Sequence, residues 1–362
     1  MTPPEATLVT LCTREPDAVA PGAIAAAAAA VRDWDAVVEL AARHRALAYL
    51  RAGLARDQVR PPARAERAMG QLLLMSGTRL VRLRDALRRV AGAFATEGIP
   101  LIVLKGPVLA PALYPGAIFR PFSDIDVLVP EAHVERAAEL IEACGLPERA
   151  HGAAVAQAEH ADHVHDAADY HRQFATDDWE VLVELHADAL QLGMRLSPER
   201  DRWVRSVPAD GVAGVSMLSM EDQVVHLSTH AHKHGFNRLI WLKDIDLLVR
   251  RRGQTLDWPL ALAIAREEGV TASLWYALEL TRALLGTPVP RDWLRQVRPV
   301  LPVRLAYRAV WPEADIARLE GHMRRRAVQF HVADSWRGML PSLLLMGRRQ
   351  VRARAIVDAL LH

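Results

Sequence analysis

Apolar side chains in the first third of the chain recur at helical spacing. Residues 33–50 place theirs on one side of a helix, and Asp33 stands where its side chain can cap the first turn. A longer stretch, residues 65–94, has large apolar residues three and four positions apart, namely Leu80, Leu83, Leu87, Val90 and Phe94. Arginines occupy its other faces. We therefore predict two helices, the second with a solvated arginine-rich surface.

After residue 98 the hydrophobic positions recur at shorter spacing, which predicts strands. A glycine and a proline near residue 100 end the long helix, and the runs after them are apolar or alternate apolar with polar side chains. The predicted strands are residues 101–104, 124–129, 170–175 and 179–186, the last two joined by a hairpin turn at 176–178. Further helices are predicted over residues 107–113 and 131–144.

The pattern becomes helical again after Ser219. Helices are predicted over residues 221–234, 239–250, 259–268 and 272–285, with arginine-rich helices continuing to His362. The order is helices, then strands mixed with helices, then helices. We predict an α+β fold with a small mixed β-sheet core. The expected division is an N-terminal helical segment (1–97), the α+β core (98–215) and a C-terminal helical domain (216–362).

Composition narrows the class of protein. The chain has 362 residues, of which 51% are hydrophobic, so it can bury real cores and is not a disordered protein. The apolar run at residues 23–31 is mostly alanine and too short for a membrane helix, and no secretory signal is recognisable. We expect a cytoplasmic protein with no membrane partner. A net charge of +2 without a basic stripe argues against nucleic acid as the partner.

Carboxylates gather on two of the predicted strands. Asp124 and Asp126 are two residues apart in a strand, so both face the same side, and such a pair suits Mg²⁺ or Mn²⁺. A solvated strand end is the simpler interpretation of an isolated pair. If the strand at 179–186 lies beside the first, Glu184 joins them, and three acids can hold two metal ions. His186 shares a face with Glu184.

The segment before these acids suits a phosphate. A strand, a turn through Gly106 and a helix beginning at Pro107 direct backbone N–H groups and a positive dipole end to one point. Lys105 and Arg120 add positive charge there. Taken alone, the turn and its single lysine are equally typical of a protein surface.

These residues together resemble a known family. The runs LIVLKGPVLAPALY…FRPFSDIDVLV, VELH and HLSTHAHKHGFNRLIWLKDIDLLV, with Trp34, Asp35, Ala42 and His44 upstream, are similar to the uncharacterised nucleotidyltransferase family (NTP_transf_5-like) of the DNA polymerase β-like superfamily. The resemblance implies a nucleotidyltransferase core with Asp124, Asp126 and Glu184 as catalytic metal ligands. It also places Gly106 in the turn that the superfamily builds as Gly-Ser or Gly-Gly, although Pro107 follows it here.

A second D-I-D sequence occurs at residues 244–246. The apolar residues around it follow helical spacing, and on a helix Asp244 and Asp246 lie on different sides, so they cannot chelate one ion. We therefore do not assign a metal to them and expect Asp246→Asn to be nearly silent. Asp244 is either a single acid near the acceptor, a surface acid or a helix-pairing residue.

Histidines form the remaining cluster of residues that could bind a metal or a substrate. His226, His230 and His234 recur at every fourth position, a spacing that could hold zinc with a further ligand but more readily lines a cleft. We assign His186, His230, Lys233, His234 and Asp244 to acceptor binding or to orienting the ligands. His160, His163, His165 and His171 lie in or at the edge of the irregular stretch 147–168, where a loop is the simpler interpretation and metal binding is the alternative.

The resemblance implies transfer of a nucleoside monophosphate from an NTP to an acceptor, and the three acids suit a Mg²⁺- or Mn²⁺-dependent, two-metal mechanism for it. Lys105, Gly106, Arg120 and Ser123 are assigned to the nucleotide, and Glu184 to the general base. The acceptor is a small molecule, a peptide or a protein. The alternatives are a catalytically degenerate nucleotide-binding regulatory protein and a histidine-based metallohydrolase.

Overall fold

The computed structural model describes residues 2–149, 171–190 and 199–301, together with residue 304. The predicted histidine-rich loop lies almost entirely outside these ranges, as do the arginine-rich helices predicted after residue 304.

Helices make up most of the described chain. They are α1 (Pro4–Thr13), α2 (Ala23–Ala29), α3 (Trp34–Arg43), α4 (Leu47–Arg56), α5 (Ala63–Thr96), α6 (Gly106–Leu113), α7 (Val134–Ala143), α8 (Glu199–Arg205), α9 (Met220–Lys233), α10 (Leu239–Arg252), α11 (Trp258–Glu267), α12 (Thr271–Leu285) and α13 (Arg291–Gln296). Within the described ranges, no helix combines the length and apolarity needed to cross a membrane.

Seven strands form one mixed sheet in the described part of the chain. They are β1 (Ile102–Leu104), β2 (Ile125–Leu128), β3 (Glu148–Arg149), β4 (His171–Ala175), β5 (Leu182–His186), β6 (Val207–Pro208) and β7 (Ser216–Met217). Their order across the sheet is β3-β4-β5-β2-β1-β7-β6. β2 is antiparallel to β1 and parallel to β5, and in the latter pair Asp126 lies opposite Glu184.

Two large apolar clusters stabilise the fold. The first joins helices from both ends of the chain, with Leu8 and Leu50 from the N-terminal side and Leu274 and Leu278 from α12. The second lies between the sheet and the helices α5 and α7. The predicted α+β fold, a mixed sheet with helices at both ends, is therefore confirmed.

The predicted helix over residues 33–50 is wrong in one respect, because it is two helices. Asp33 caps α3 as expected, accepting hydrogen bonds from two backbone N–H groups. The chain then turns at Arg45, whose φ of 55° is left-handed, and the backbone N–H of Ala46 donates to the carbonyl of Ala41 at 2.7 Å. This is a helix-ending motif that usually uses glycine, so periodicity gave no sign of it.

Candidate active site

The centre of the candidate site is a buried group of two carboxylates and one imidazole. Asp126 on β2 and Glu184 on the parallel neighbour β5 are opposite each other, and His186 follows on β5. His186 Nε2 lies 3.2 Å from Asp126 Oδ1 and 3.8 Å from Glu184 Oε2. Ligand atoms of all three residues lie within 4.8 Å of one another. The sheet therefore brings together two of the three predicted acids.

Asp124 occupies a different position from the other two acids. It precedes β2, which begins at Ile125, and its half-buried side chain lines a cleft together with Glu184. Within the described residues, the compact ligand group contains His186 in place of Asp124. The sequence predicts the same role for Asp124 and Asp126. In the structure, Asp124 lines the cleft and Asp126 lies inside the group.

Lys105 contacts the group directly. It lies between β1 and α6 with a φ of 58°, and its Nζ donates to Asp126 Oδ1 at 2.8 Å. Burial alone would lower the pKa of this ammonium, but Asp126 and the other acids raise it above its usual value. Asp126 shows the converse, since Lys105 and His186 outweigh its burial and hold its pKa well below the usual range. Both groups are charged at neutral pH.

The Lys-Gly-Pro turn is tightly packed at its glycine. Gly106 begins α6, and a Cβ at this position would lie 2.6 Å from the Cβ of Phe122. A larger residue would therefore displace the Phe122 side chain, which lines the same cleft as Lys105. Glycine at this position lets the backbone of the turn approach the cleft wall.

Arg120 has a partner that the sequence analysis did not assign to it. Its guanidinium donates to both carboxylate oxygens of Asp244, at 2.6 and 2.7 Å, and the Tyr114 hydroxyl donates to the same carboxylate at 2.6 Å. All three side chains are buried. Arg120 lines the cleft, but its charge is matched by Asp244, so this ion pair joins α10 to the segment that precedes β2.

Asp246 belongs to a separate buried cluster. It accepts hydrogen bonds from Lys243 at 2.8 Å, Arg250 at 2.7 Å and Thr287 at 2.6 Å. The two acids of the second D-I-D sequence thus have different partners, as helical geometry predicts. That Asp246→Asn leaves transfer nearly unchanged stays a prediction. Because the carboxylate is fully buried between two cations, we expect the substitution to lower stability.

The histidines of α9 line one wall of the cleft. His230 and His234 both face it, each with its ring 5.0 Å from the ring of Trp241. His226 lies deeper and is 3% exposed, and neither of its ring nitrogens has a hydrogen-bond partner among the described residues. Burial lowers the pKa of His226 to about 3, and the Lys105 ammonium adds to this effect. Burial also lowers the pKa of Lys233, to about 8.

Zinc binding by the three α9 histidines finds no support in their arrangement. Within the described residues, the group with metal-binding geometry lies on β2 and β5 and does not include them. The helix therefore fits the interpretation as a cleft wall.

Several site residues escaped the sequence analysis. The Gln173 amide donates to Glu184 Oε1 at 3.0 Å, and Arg45 donates to the Ser123 hydroxyl at 2.8 Å. Arg238 lies over the Trp241 ring, 5.6 Å from its centre. Arg45 and Arg238 come from elements distant in sequence from the acids, so only helix packing could have indicated them. Gln173 lies on the hairpin neighbour of β5, where only the exact strand register could have indicated it.

The cleft has a wider cavity beside it. The space in the cleft itself is about 30 Å³, which holds an ion or a few water molecules. The neighbouring cavity is about 330 Å³, is lined by Ser123 among others, and shares Arg45, Phe122 and Arg238 with the cleft. A larger ligand thus has room next to the buried group.

The mixed sheet and the flanking helices define an α+β protein in which carboxylates on β2 and β5 meet beside a cleft. The family model described as uncharacterised nucleotidyltransferase matches residues 30–286, and the chain belongs to that family. Among solved structures, the solution structure of the antibiotic-resistance factor ANT(2'')-Ia is similar, with 15% identity, a TM-score of 0.37, and coverage of 55% of this chain and 96% of that chain. A comparison with curated proteins finds no match.

Proposed function

We propose that this protein transfers a nucleoside monophosphate from an NTP to an acceptor in a reaction that depends on Mg²⁺ or Mn²⁺. The observation that carries the proposal is the parallel pairing of β2 with β5, which sets Asp126 directly beside Glu184 at the base of a cleft lined by Asp124. Family membership supports nucleotidyl transfer as the reaction class.

The proposed reaction is a displacement at the α-phosphorus of the NTP. A lone pair on the acceptor oxygen forms the new P–O bond, the bond from the α-phosphorus to the bridging oxygen breaks, and pyrophosphate leaves with that electron pair. The acceptor proton passes to Glu184, our candidate base. Glu184 Oε1 accepts a hydrogen bond from Gln173, which fixes the carboxylate with Oε2 towards His186.

The donor set fits a divalent metal ion. Asp126 and Glu184 supply carboxylate oxygens that are 1% exposed at the residue level, and Asp124 adds a carboxylate in the cleft. When bound, such an ion neutralises phosphate charge and lowers the pKa of the acceptor hydroxyl. Asp126 keeps its charge at neutral pH because Lys105 and His186 stabilise the anion.

Nucleotide binding is assigned to the side of the cleft formed by the Lys-Gly-Pro turn. Lys105 reaches the cleft from the N-terminus of α6, where backbone N–H groups favour phosphate. Ser123 lines the adjoining cavity. Arg120 is held by a two-bond pair with Asp244, so we expect it to position the wall. Lys105 gives one bond to Asp126, and an ammonium has three donors, so we expect it to contact phosphate as well.

The acceptor is assigned to the opposite wall, formed by α9. His230 and His234 present their rings to the cleft, and Lys233, with its pKa lowered to about 8, is close enough to the acids to interact with Glu184 and Asp126. The helices after residue 216 would then select the acceptor.

The test is incubation of the full chain with each of the four NTPs labelled at the α-phosphate, with Mg²⁺ or Mn²⁺. Small metabolites, peptides and the protein itself serve as acceptors. Label joined to one acceptor, with release of unlabelled pyrophosphate, is the expected result. Tight nucleotide binding without label transfer to any acceptor would favour a regulatory binding protein instead.

A further inference from the structure

We propose that His186 is itself a metal ligand, so that Asp126, Glu184 and His186 form a mixed nitrogen and oxygen site that binds Co²⁺ or Zn²⁺ more tightly than Mg²⁺. The proposal rests on the proposed function only for the location of the ion. It differs from the all-carboxylate site expected from the sequence, in which Asp124 takes the third position.

The distances within the group suit a shared ion. Two ligand atoms that each lie about 2.1 Å from an ion, at angles between about 90° and 110°, are roughly 3.0 to 3.4 Å apart. His186 Nε2 lies 3.2 Å from Asp126 Oδ1 and 3.8 Å from Glu184 Oε2. Small side-chain rotations bring all three atoms into coordination range, and the ion then replaces the contacts that Asp126 Oδ1 makes with His186 Nε2 and Lys105 Nζ.

Burial makes a cation favourable at this point. Asp126 and Glu184 are each 1% exposed, and His186 is fully buried. Around the group, the three carboxylates of Asp124, Asp126 and Glu184 interact with two ammonium groups, those of Lys105 and Lys233. A divalent ion supplies the missing positive charge, and buried carboxylates are stable only with such compensation.

The orphaned nitrogens of His226 also point to a ligand in this place. His226 is 3% exposed and lies on α9, one turn before His230 in the cleft wall. Its ring nitrogens have no hydrogen-bond partner in the part of the chain that the structure describes. Since buried polar atoms are nearly always hydrogen-bonded, we expect a ligand or a water molecule beside this wall of the cleft to satisfy one of them.

The imidazole determines which ions are preferred. Mg²⁺ takes oxygen ligands almost exclusively, whereas Co²⁺ and Zn²⁺ bind imidazole readily. An ion held by the His186 nitrogen together with Asp126 and Glu184 therefore favours the latter ions over Mg²⁺.

The test uses the full chain loaded with Mn²⁺, whose electron spin reports directly bound nitrogen. We expect electron spin-echo spectra with the coupling of a coordinated imidazole ¹⁴N, replaced by ¹⁵N coupling when histidine is ¹⁵N-labelled. His186→Gln should abolish the coupling, and His230→Gln, which removes a cleft histidine outside the group, should retain it. His186→Asp, which keeps a ligand but removes the nitrogen, serves if the glutamine variant does not fold.

Competition against the bound Mn²⁺ gives the second readout. Co²⁺ should release half of the Mn²⁺ at a concentration at least about tenfold below that required of Mg²⁺. Absence of histidine coupling at saturating Mn²⁺, retention of the coupling in a folded His186 variant, or equal displacement by Mg²⁺ would overturn the proposal. Nucleotidyl transfer without nitrogen coupling would contradict His186 as a metal ligand and leave the proposed function intact. Nitrogen coupling without transfer would support His186 as a ligand and contradict the proposed function.

Discussion

At the residue scale, aspartates in the two D-I-D sequences have different roles. Asp126 lies in a strand beside Glu184, where its charge is directed into the candidate site. Asp246 lies in a helix, where Lys243 and Arg250 surround it. Strand and helix periodicity in the sequence were enough to separate these two cases. The partners of each acid could not be read from the sequence, because they come from tertiary packing.

Replacing Asp246 tests the structural role directly. Asp246→Asn should lower the free energy of unfolding by about 3 kcal/mol, near the lower end for breaking a buried ion pair, since Lys243 keeps Glu15 as a second partner. Urea denaturation measures this loss, and label transfer per folded molecule should stay near the wild-type value. An unchanged unfolding free energy would show that the Asp246 cluster does not stabilise the fold.

The buried imidazole of His226 predicts how stability depends on pH. Its pKa is about 6.5 when unfolded and about 3 when folded, so the unfolded chain binds more protons between these values. The stabilisation is complete above pH 6.5 and is lost as the pH falls towards 3. One such group contributes a slope of about 1.4 kcal/mol per pH unit, and His230 acts in the same direction.

Urea denaturation between pH 5 and pH 8 measures this slope. His226→Leu should reduce this slope by about 1.4 kcal/mol per pH unit, the contribution of one proton. His133→Gln controls for removal of a histidine elsewhere in the chain. The interpretation fails if His226→Leu and the wild-type protein lose stability equally steeply below pH 6.5.

At the scale of the elements, the sequence predicted the strands but not the register in which they pair. The hairpin turn predicted at 176–178 would pair Gln173 with Val181, but the connection between β4 and β5 spans residues 176–181 and pairs Gln173 with Glu184. The sequence thus predicted that both strands exist and that Glu184 and His186 share a face. The hydrogen bond that orients Glu184 depends on turn geometry, with a left-handed Trp179 that no periodicity indicates.

The buried pair of Arg120 and Asp244 should hold α10 against the segment that precedes β2. Arg120→Ala leaves the Asp244 carboxylate buried with the Tyr114 hydroxyl as its remaining named donor, which should lower the free energy of unfolding by about 3 to 5 kcal/mol. Asp244→Ala and the double variant complete the cycle. The double variant should lose clearly less than the sum of the two single losses, and strict additivity would contradict a direct coupling.

At the scale of the whole molecule, helices from the first 60 residues and helices after residue 220 share one core. Leu50 of α4 and Leu278 of α12 belong to the same apolar cluster, while the sheet packs on α5 in another. The family match at residues 30–286 spans both clusters. The boundaries at 97 and 215 remain our proposal for the domains. The periodicity of the sequence predicted the order of helices and strands along the chain. Which of these elements pack together depends on long-range contacts that periodicity does not show.

Hydrogen exchange tests this shared core. Leu50→Ala should cost about 2 to 5 kcal/mol and lower amide protection in α12 as well as in α4, since both open together. Leu83→Ala, at a fully buried position in the sheet cluster, is the matched control and should affect α5 and the sheet first. Unchanged protection of α12 in Leu50→Ala would mean that the two ends unfold independently.

The most direct test of the proposed function is the rate of label transfer from an α-labelled NTP by the wild-type protein, Asp126→Asn and Asp85→Asn. Asp85 is an exposed aspartate paired with Arg89 on α5, so its variant controls for loss of one carboxylate. We expect Asp85→Asn to match the wild type and Asp126→Asn to lose about 10²- to 10³-fold per folded molecule, as removal of a preorganised charge does. Equal rates for Asp126→Asn and the wild-type protein would contradict the assignment of the active site to β2 and β5.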